Sequence, residues 1–403
     1  MNPTYRLLLL RWTLCAGFFA GIFLSLNLWL THRTYPHVPF FESLPHPPQA
    51  LSLILLAALI LSLALIALET FGRKPLFVFL ALIALLIVLD QNRLQPWIYQ
   101  YTLGLLPFVW LKGKAPSEDR IHGVLNGARL FTIGSYLWSG LHKLSPAFRE
   151  LWQDSLVTPW LKDSSLKPLA LATTSWIGPL EILIALALLV PRLRNTAVLL
   201  ATSTHLFILL MVGPLGLNFN MVIWPWNICL IALVWILFWK TPDLQWPSLT
   251  KSSIAIPVAV IGILALILPS FSLGHKWDRY LSFHLYSGQQ QRLLIGFAPS
   301  AVRKLPENLT PFLTPSPWPE YQQLAPDNWA PKDMGVPPVT ENRVLIKVCQ
   351  EVLTRRRNDK TTAFRDDEII IYRDYPHLLE ERGWATYKPS EIRTWSRFPP
   401  LKK

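Results

Sequence analysis

Ala50-Leu-Ser-Leu-Ile-Leu-Leu-Ala-Ala-Leu-Ile-Leu-Ser-Leu-Ala-Leu-Ile-Ala-Leu68 runs without a charge, a glycine or a proline. A helix needs about 20 mostly apolar residues to cross the hydrocarbon of a bilayer, and this stretch, 50–69, supplies them. Working outward from it, comparable stretches occupy 11–30, 75–91, 97–112, 124–143, 174–190, 196–213, 219–239 and 253–271. The stretch 97–112 is the weakest, short and flanked by Pro96 and Pro107. The first carries Arg6 and Arg11 but no small-x-small cleavage signal follows it, so it reads as an uncleaved span. Hydrophobic residues make up 51% of the chain and charged residues 16%. Soluble proteins are usually about a quarter charged, and disorder requires low hydropathy, so a wholly soluble enzyme and a disordered chain are both excluded. The expected fold is an all-α polytopic membrane helix bundle of about nine transmembrane helices over 1–272, with a small C-terminal extracytoplasmic α+β cap within 273–403.

Loop charge orients the bundle. With the N-terminus cytoplasmic, the inner segments hold Arg6, Arg11, Arg73, Lys74, Lys112, Lys114, Arg120, Arg129, Arg192, Arg194, Lys240 and Lys251. The outer segments hold only Arg33, Arg93, Lys143, Arg149, Lys162 and Lys167. This asymmetry follows the positive-inside bias; nine spans then put the C-terminal segment outside, and the expected location is a bacterial inner (plasma) membrane. The net charge of +13 is spread over loops and the C-terminal segment, and the run Arg355-Arg356-Arg357 is cut off by Asn358 and Asp359. A solvated face explains it better than nucleic-acid binding does. Residues 298–338 are rich in Pro and read as an irregular connection. Val344, Val348 and Val352 have helical spacing over 341–356, and Glu368–Arg373 reads as a short buried strand. Cys15, Cys229 and Cys349 form no Cys-x-x-Cys pair, so neither a zinc site nor thiol exchange is expected. No phosphate loop, Gly-x-Ser-x-Gly elbow or His-Glu-x-x-His occurs.

The chemistry-bearing stretch is Gly134-Ser-Tyr-Leu-Trp-Ser-Gly-Leu-His-Lys-Leu144, at the end of the fifth span. Arg129, Tyr136 and Lys143 are seven apart and share one helix face. Gly140 on that face admits a neighbouring backbone or a flat ligand. Lys143 has two readings. It is a lysine snorkelling to the interface, or a partly desolvated amine whose lowered pKa lets it accept a proton. His142 points away from it, because adjacent helical residues diverge. Glu181 and His205 lie inside apolar spans, where ionisable groups are costly and take a functional or pairing role; here they either pair with each other or serve the site. Asn220 and Trp224-Pro-Trp-Asn227 line a pocket mouth or form a tight turn and an aromatic belt. Asp90 and Arg93 pair in an outer turn.

These residues resemble a family. Leu89-Asp-Gln-Asn-Arg-Leu-Gln-Pro-Trp-Ile-Tyr-Gln-Tyr101, Tyr136-Leu-Trp-Ser-Gly-Leu-His-Lys-Leu144 and the series Pro179-Leu-Glu181, His205, Asn220-Met-Val-Ile-Trp-Pro-Trp226 are similar in order and spacing to HTTM (horizontally transferred transmembrane) domain proteins. These are vitamin K-dependent γ-glutamyl carboxylase and its bacterial relatives. The resemblance covers about 5–240. It implies a bundle whose site opens to the outer face and whose lysine, at Lys143, deprotonates a reduced quinone such as menaquinol or vitamin K hydroquinone. The resulting anion reacts with oxygen to give an epoxide and a strong base, which removes a γ-proton from glutamate before carbon dioxide adds. It implies catalytic roles for Lys143, His205 and Glu181 and quinone contacts from Tyr136, Gly140, Asn220, Trp97 and Tyr101. No metal is implied. Two departures weigh against polypeptide carboxylation: Trp97 stands where the carboxylase has a functional histidine, and the outer region is short and Pro-rich. Residues 124–239 also resemble the smaller DoxX redox accessory proteins, and a non-enzymatic scaffold binding a periplasmic polypeptide is a third reading. Membrane lipid is the expected surrounding in every case.

Overall fold

The computed structural model describes residues 1–70, 72–111, 116–161, 164–241, 252–284, 286–357, 362–375, 383–396 and 398. Lys112, Lys114, Lys162 and Lys251, which entered the charge bias, lie outside them. The chain is mostly helical, with a small antiparallel sheet near its C-terminal end. It divides into two compact units, one of Met1–Leu24, Leu53–Leu85 and Leu94–Gly288, the other of Ser25–Ser52, Leu86–Arg93 and Gln289–Lys403. The second unit takes in two connections from earlier in the chain, Ser25–Ser52 and Leu86–Arg93.

In the first unit the helices are α1 (Pro3–Leu24), α2 (Gln49–Ala67, of which Leu53 onward belongs here), α3 (Lys74–Leu89, to Leu85), α4 (Pro96–Leu105), α5 (Glu118–His142), α6 (Lys167–Thr174), α7 (Ile177–Leu189), α8 (Arg194–Val212), α9 (Ile223–Phe238) and α10 (Ser252–Gly262). The α1, α2 and α8 helices and the stretch Ala255–Gly274 are long and apolar enough to cross a membrane. Leu53, Ile54 and Leu61 on α2 and Leu68 just past its end are exposed, as are Leu199, Leu206, Phe207 and Leu210 on α8. Apolar surface on this scale is stable facing lipid rather than water. The stretch 174–190, expected as one span, is instead the second half of a broken pair: α6 and α7 meet at 52° across Ser175 and Trp176. Likewise 97–112 is ten α-helical residues followed by a 3₁₀ turn, Leu106–Trp110, where Pro107 removes a backbone donor.

The α5 helix is central, packing against α7 and α10 and touching α1 and α9. Glu118 and Asp119 in its first turn complement the helix dipole. Glycines let it approach its neighbours closely. A Cβ on Gly140 would lie 2.7 Å from Gly178 O, and one on Gly134 would lie 2.5 Å from Ala265 O.

In the second unit, β1 (Arg292–Phe297), β2 (Leu313–Pro315), β3 (Gln322–Leu324), β4 (Ile369–Tyr375) and β5 (Gly383–Tyr387) form one sheet in the order β2-β3-β1-β4-β5, every pair antiparallel. Among the described residues the two longest helices of this unit are α11 (Pro326–Met334) and α12 (Asn342–Thr354); α12 buries Val344, Val348 and Val352 as its spacing predicts. The strand expected at Glu368–Arg373 is β4, with Ile371 paired to Ile295 of β1. Residues 298–338 are not the irregular connection expected, since β2, β3 and α11 form there once β1 gives them an edge. Asp90 organises the connections in this unit. Its partner is the Arg33 guanidinium rather than Arg93, with both side chains at most 1% exposed. Arg93 donates instead to the carbonyls of Leu28, Leu86 and Trp29 at 3.2, 2.8 and 3.1 Å.

Candidate functional site

Lys143 is the residue that ends α5. Its own N–H donates to Gly140 O at 3.1 Å, Leu144 N–H donates to Leu141 O at 3.2 Å, and Ser145 caps the helix that starts at Pro146, so the chain turns sharply just beyond it. The side chain is 9% exposed. Its Nζ donates to both oxygens of Glu181 at 2.7 Å and to Ser139 Oγ at 2.6 Å. Glu181, on α7, is 6% exposed at its side chain. The close Gly140–Gly178 crossing sets the distance between the two helices one turn away. Gly140 thus admits a neighbouring backbone, which decides the alternative its sequence left open.

His205 does not pair with Glu181. Its Nε2 faces the Tyr136 hydroxyl at 2.6 Å and its Nδ1 faces Asn227 Oδ1 at 2.8 Å. Asn227 Nδ2 donates to Ile223 O at 2.8 Å, which fixes the amide so that Oδ1 is the atom turned to the ring. Nδ1 therefore carries the imidazole proton, and Tyr136 donates its hydroxyl hydrogen to Nε2. Tyr136, His205 and Asn227 are all buried, on α5, α8 and α9 respectively. The Glu181 carboxylate is near enough for its charge to act on Tyr136 and His205, and the Lys143 ammonium near enough to act on His205. Four helices therefore bring an ammonium–carboxylate pair beside a phenol–imidazole–amide chain, inside an apolar bundle. Such groups can pass a proton along short hydrogen bonds with little movement of heavy atoms.

The remaining expected residues fall elsewhere. Trp97 and Tyr101 are 3% and 0% exposed and lie over Gly21 and Gly17 of α1, with Phe18 between them in an aromatic cluster. A packed core surrounds them, and Tyr101 packs edge-on against Trp226, which neighbours Asn227 in sequence. Asn220 donates to the Tyr286 hydroxyl at 2.6 Å in a turn whose backbone is left-handed at Asn218 and Asn220. His142, next to Lys143, turns into a separate cluster: its ring stacks on His284 with centroids 3.2 Å apart, and its Nε2 lies 3.1 Å from Ser282 O. By sequence alone Ser139 and His284 have no site role, and Asn227 falls only at a pocket mouth or in a turn and aromatic belt. Asn227 carried a usable signal, an amide inside an apolar helix; His284 carried none. Among the described residues no group of three His, Cys, Asp or Glu could hold a metal ion. No family model, curated protein or solved structure matches the chain.

Proposed function

We propose that the chain is an HTTM-type integral membrane protein that moves the protons of a lipid-soluble reduced quinone, with the Lys143–Glu181 pair as its acid–base couple. The single observation carrying this reading is that pair, buried in an apolar bundle, with the Tyr136–His205–Asn227 chain beside it. A lysine held on a carboxylate is an ammonium at rest, so the couple works in two moves. The ammonium proton crosses a 2.7 Å contact to Glu181, leaving amine and carboxylic acid, and the amine then takes a hydroxyl proton from the quinol. The products are a quinolate, an ammonium and a protonated Glu181. Low dielectric favours this route, because burial disfavours charged forms and narrows the gap between the ionic and neutral pairs. The quinolate is the species that, by the resemblance, reacts with oxygen.

Nine spans, with the N-terminus cytoplasmic and the C-terminal unit outside a bacterial inner membrane, fit this reading. The Arg73 guanidinium, in the turn between α2 and α3, donates to Val109 O at 2.7 Å just beyond α4. That contact supports a fourth segment running the full depth of the bundle.

The test uses purified protein in lipid nanodiscs with menaquinol or vitamin K hydroquinone, following quinol oxidation, epoxide and carbon dioxide fixed into a glutamate peptide as separate products. Loss of one acid–base group typically costs about 10²–10⁴ in rate, so Lys143→Ala is expected to abolish measurable turnover while retaining helix content. Turnover unchanged in Lys143→Ala overturns the assignment. A non-enzymatic scaffold is the competing reading, favoured by the fact that Lys143 and Glu181 already satisfy one another. It requires that wild-type protein consume no quinol at all.

A further inference from the structure

The connection between α1 and α2 sorts its large apolar side chains two ways. Tyr35 and Val38 are 0% exposed, whereas Phe40 and Phe41, in Val38-Pro-Phe-Phe-Glu42, are 53% and 56% exposed. The two phenylalanine rings meet edge-on, with centroids 5.2 Å apart. A loose loop does not account for this exposure, because the backbone is fastened on both sides of Phe40. Val38 N–H donates to Asp90 Oδ1 at 3.1 Å, Gln91 N–H to Val38 O at 2.8 Å, and Gln91 Nε2 to Pro39 O at 3.2 Å. Phe40 N–H donates to Val88 O at 2.8 Å, and Leu44 N–H closes a turn on Phe41 O at 3.1 Å. Just past the rings, Lys347 of α12 donates to the Glu42 carboxylate, the one acidic side chain in 38–48. The loop is therefore held in place with two large apolar rings turned outward.

Adjacent exposed aromatics on a fixed backbone mark an interaction surface, and the chain on either side says what meets it. The loop leaves α1 and enters α2, both long and apolar enough to cross a membrane. Exposed apolar side chains continue along each. Phe19 and Phe23 lie on α1, Leu26 follows just beyond its end, and Leu51, Leu53 and Ile54 occupy the first two turns of α2. The amide of Phe40 is bonded to Val88, in the last turn of α3, a helix apolar from Pro75 to Leu89. The rings are thus fixed at the level where an apolar helix ends, which in a bilayer is the level of the headgroups. Phenylalanine at that level buries about 5–10 Å deep, at the boundary of headgroups and acyl chains. A bare carboxylate beside the rings would oppose this, and Lys347 neutralises it.

We propose that Phe40 and Phe41 form a wedge that inserts into the surface of the lipid bilayer and holds the unit that carries them against the membrane. This inference rests on the membrane reading of the helices and not on the Lys143 chemistry. It is tested on the full-length Phe41→Cys variant labelled with an environment-sensitive fluorophore; Cys15, Cys229 and Cys349 are buried and leave the new thiol as the reactive one. The labelled protein is placed in phosphatidylcholine nanodiscs, one chain per disc, with either lipid spin-labelled near the headgroup or aqueous iodide as quencher. Asp367→Cys, at an exposed position of the same unit, serves as the control. The label at 41 is expected to shift to the blue, to lose most of its emission to the lipid quencher and to lose little to iodide. The label at 367 is expected to do the reverse. If Phe41→Cys does not fold, Phe40→Cys carries the same label and the same expectation. Quenching at 41 by iodide and not by lipid overturns the proposal. Shielding from both quenchers also overturns it, since a protein surface would then cover the rings, and so does equal lipid quenching at 41 and 367. A chain that fails to enter nanodiscs overturns the membrane reading and this inference with it, whereas iodide quenching at 41 in reconstituted protein overturns the inference alone.

Discussion

Replacing Glu181 by Gln removes one charge from the Lys143 pair and almost nothing from its shape, which makes it the sharpest probe of the site. Lys143 Nζ gives three hydrogen bonds, two of them to the carboxylate, and the two side chains are 9% and 6% exposed. The substitution leaves an ammonium facing a neutral amide with no water to replace the lost charge. Removing one partner of a buried pair costs about 3–5 kcal/mol, whereas an exposed pair is worth about 1 kcal/mol or less. Reversible unfolding of the purified protein in mixed micelles, followed by helix ellipticity, measures the difference. The companion variant Lys143→Met with Glu181→Met replaces both charges by apolar side chains and is expected to be neutral or more stable, because no charge is then buried. A loss below about 1 kcal/mol in Glu181→Gln would place the pair in the solvated class and remove the basis for a proton transfer sheltered from water. A double variant that is stable and still consumes quinol would remove the chemical role alone.

Asp90→Asn leaves Arg33 and Arg93 without their counter-charge in the C-terminal unit and is expected to cost about 3 kcal/mol by chemical denaturation. Burial would raise the Asp90 pKa, but Arg33, then His37 and Arg93, hold it well below the usual carboxylate range. The depressed folded value means that its stabilisation is present above the unfolded value of about 3.9 and is lost as pH falls through the folded one. Melting midpoints measured below about pH 4 should therefore drop in the wild type and flatten in the variant. His284 is likewise held well below its ordinary value, by burial and then by the neighbouring His142, Arg279 and His275. Its contribution is complete above about pH 6.5 and declines on acidification, so His284→Gln should reduce the loss of stability between pH 7 and 5. Gly140→Ala puts a methyl 2.7 Å from Gly178 O and 2.8 Å from Ile182 Cγ1. It should cost about 1–3 kcal/mol, while Gly274→Ala, with nothing within 4 Å of the new carbon, should stay within about 0.5 kcal/mol.

What the sequence made legible follows the range of the forces involved. Apolar length shows itself locally, so α1, α2 and α8 could be read directly, as could the buried valines of α12. Glu181 and His205 stood out because a charge or an imidazole in an apolar run is conspicuous by composition. Their partners were not readable, since these depend on how helices rotate against one another. Glu181 took Lys143 and His205 took Tyr136 and Asn227, although Glu181 and His205 lie on adjacent helices. Asp90 took Arg33, distant in sequence, over Arg93 three residues away. The β2 and β3 strands were invisible for a similar reason: three residues each, one ending at Pro315, they exist through pairing, β3 beside β1 and β2 beside β3. The break between α6 and α7 carried no Pro or Gly at Ser175 or Trp176 to announce it.

That break bears on the charge state of the site. Had 167–189 been one straight helix, Glu181 would sit in its middle, where the backbone offers a carboxylate nothing. Because α7 starts at Ile177, Glu181 is its fifth residue, near the positive end of the helix dipole. Lys143 immediately follows the last residue of α5, at the negative end of that helix. The two ends meet at the Gly140–Gly178 crossing, so each charge faces both its partner and a dipole of favourable sign. Under the proposed function a base at this position is made by the substrate's arrival, when the proton of Lys143 moves to Glu181, so Glu181→Gln is expected to remove quinol turnover as well as stability.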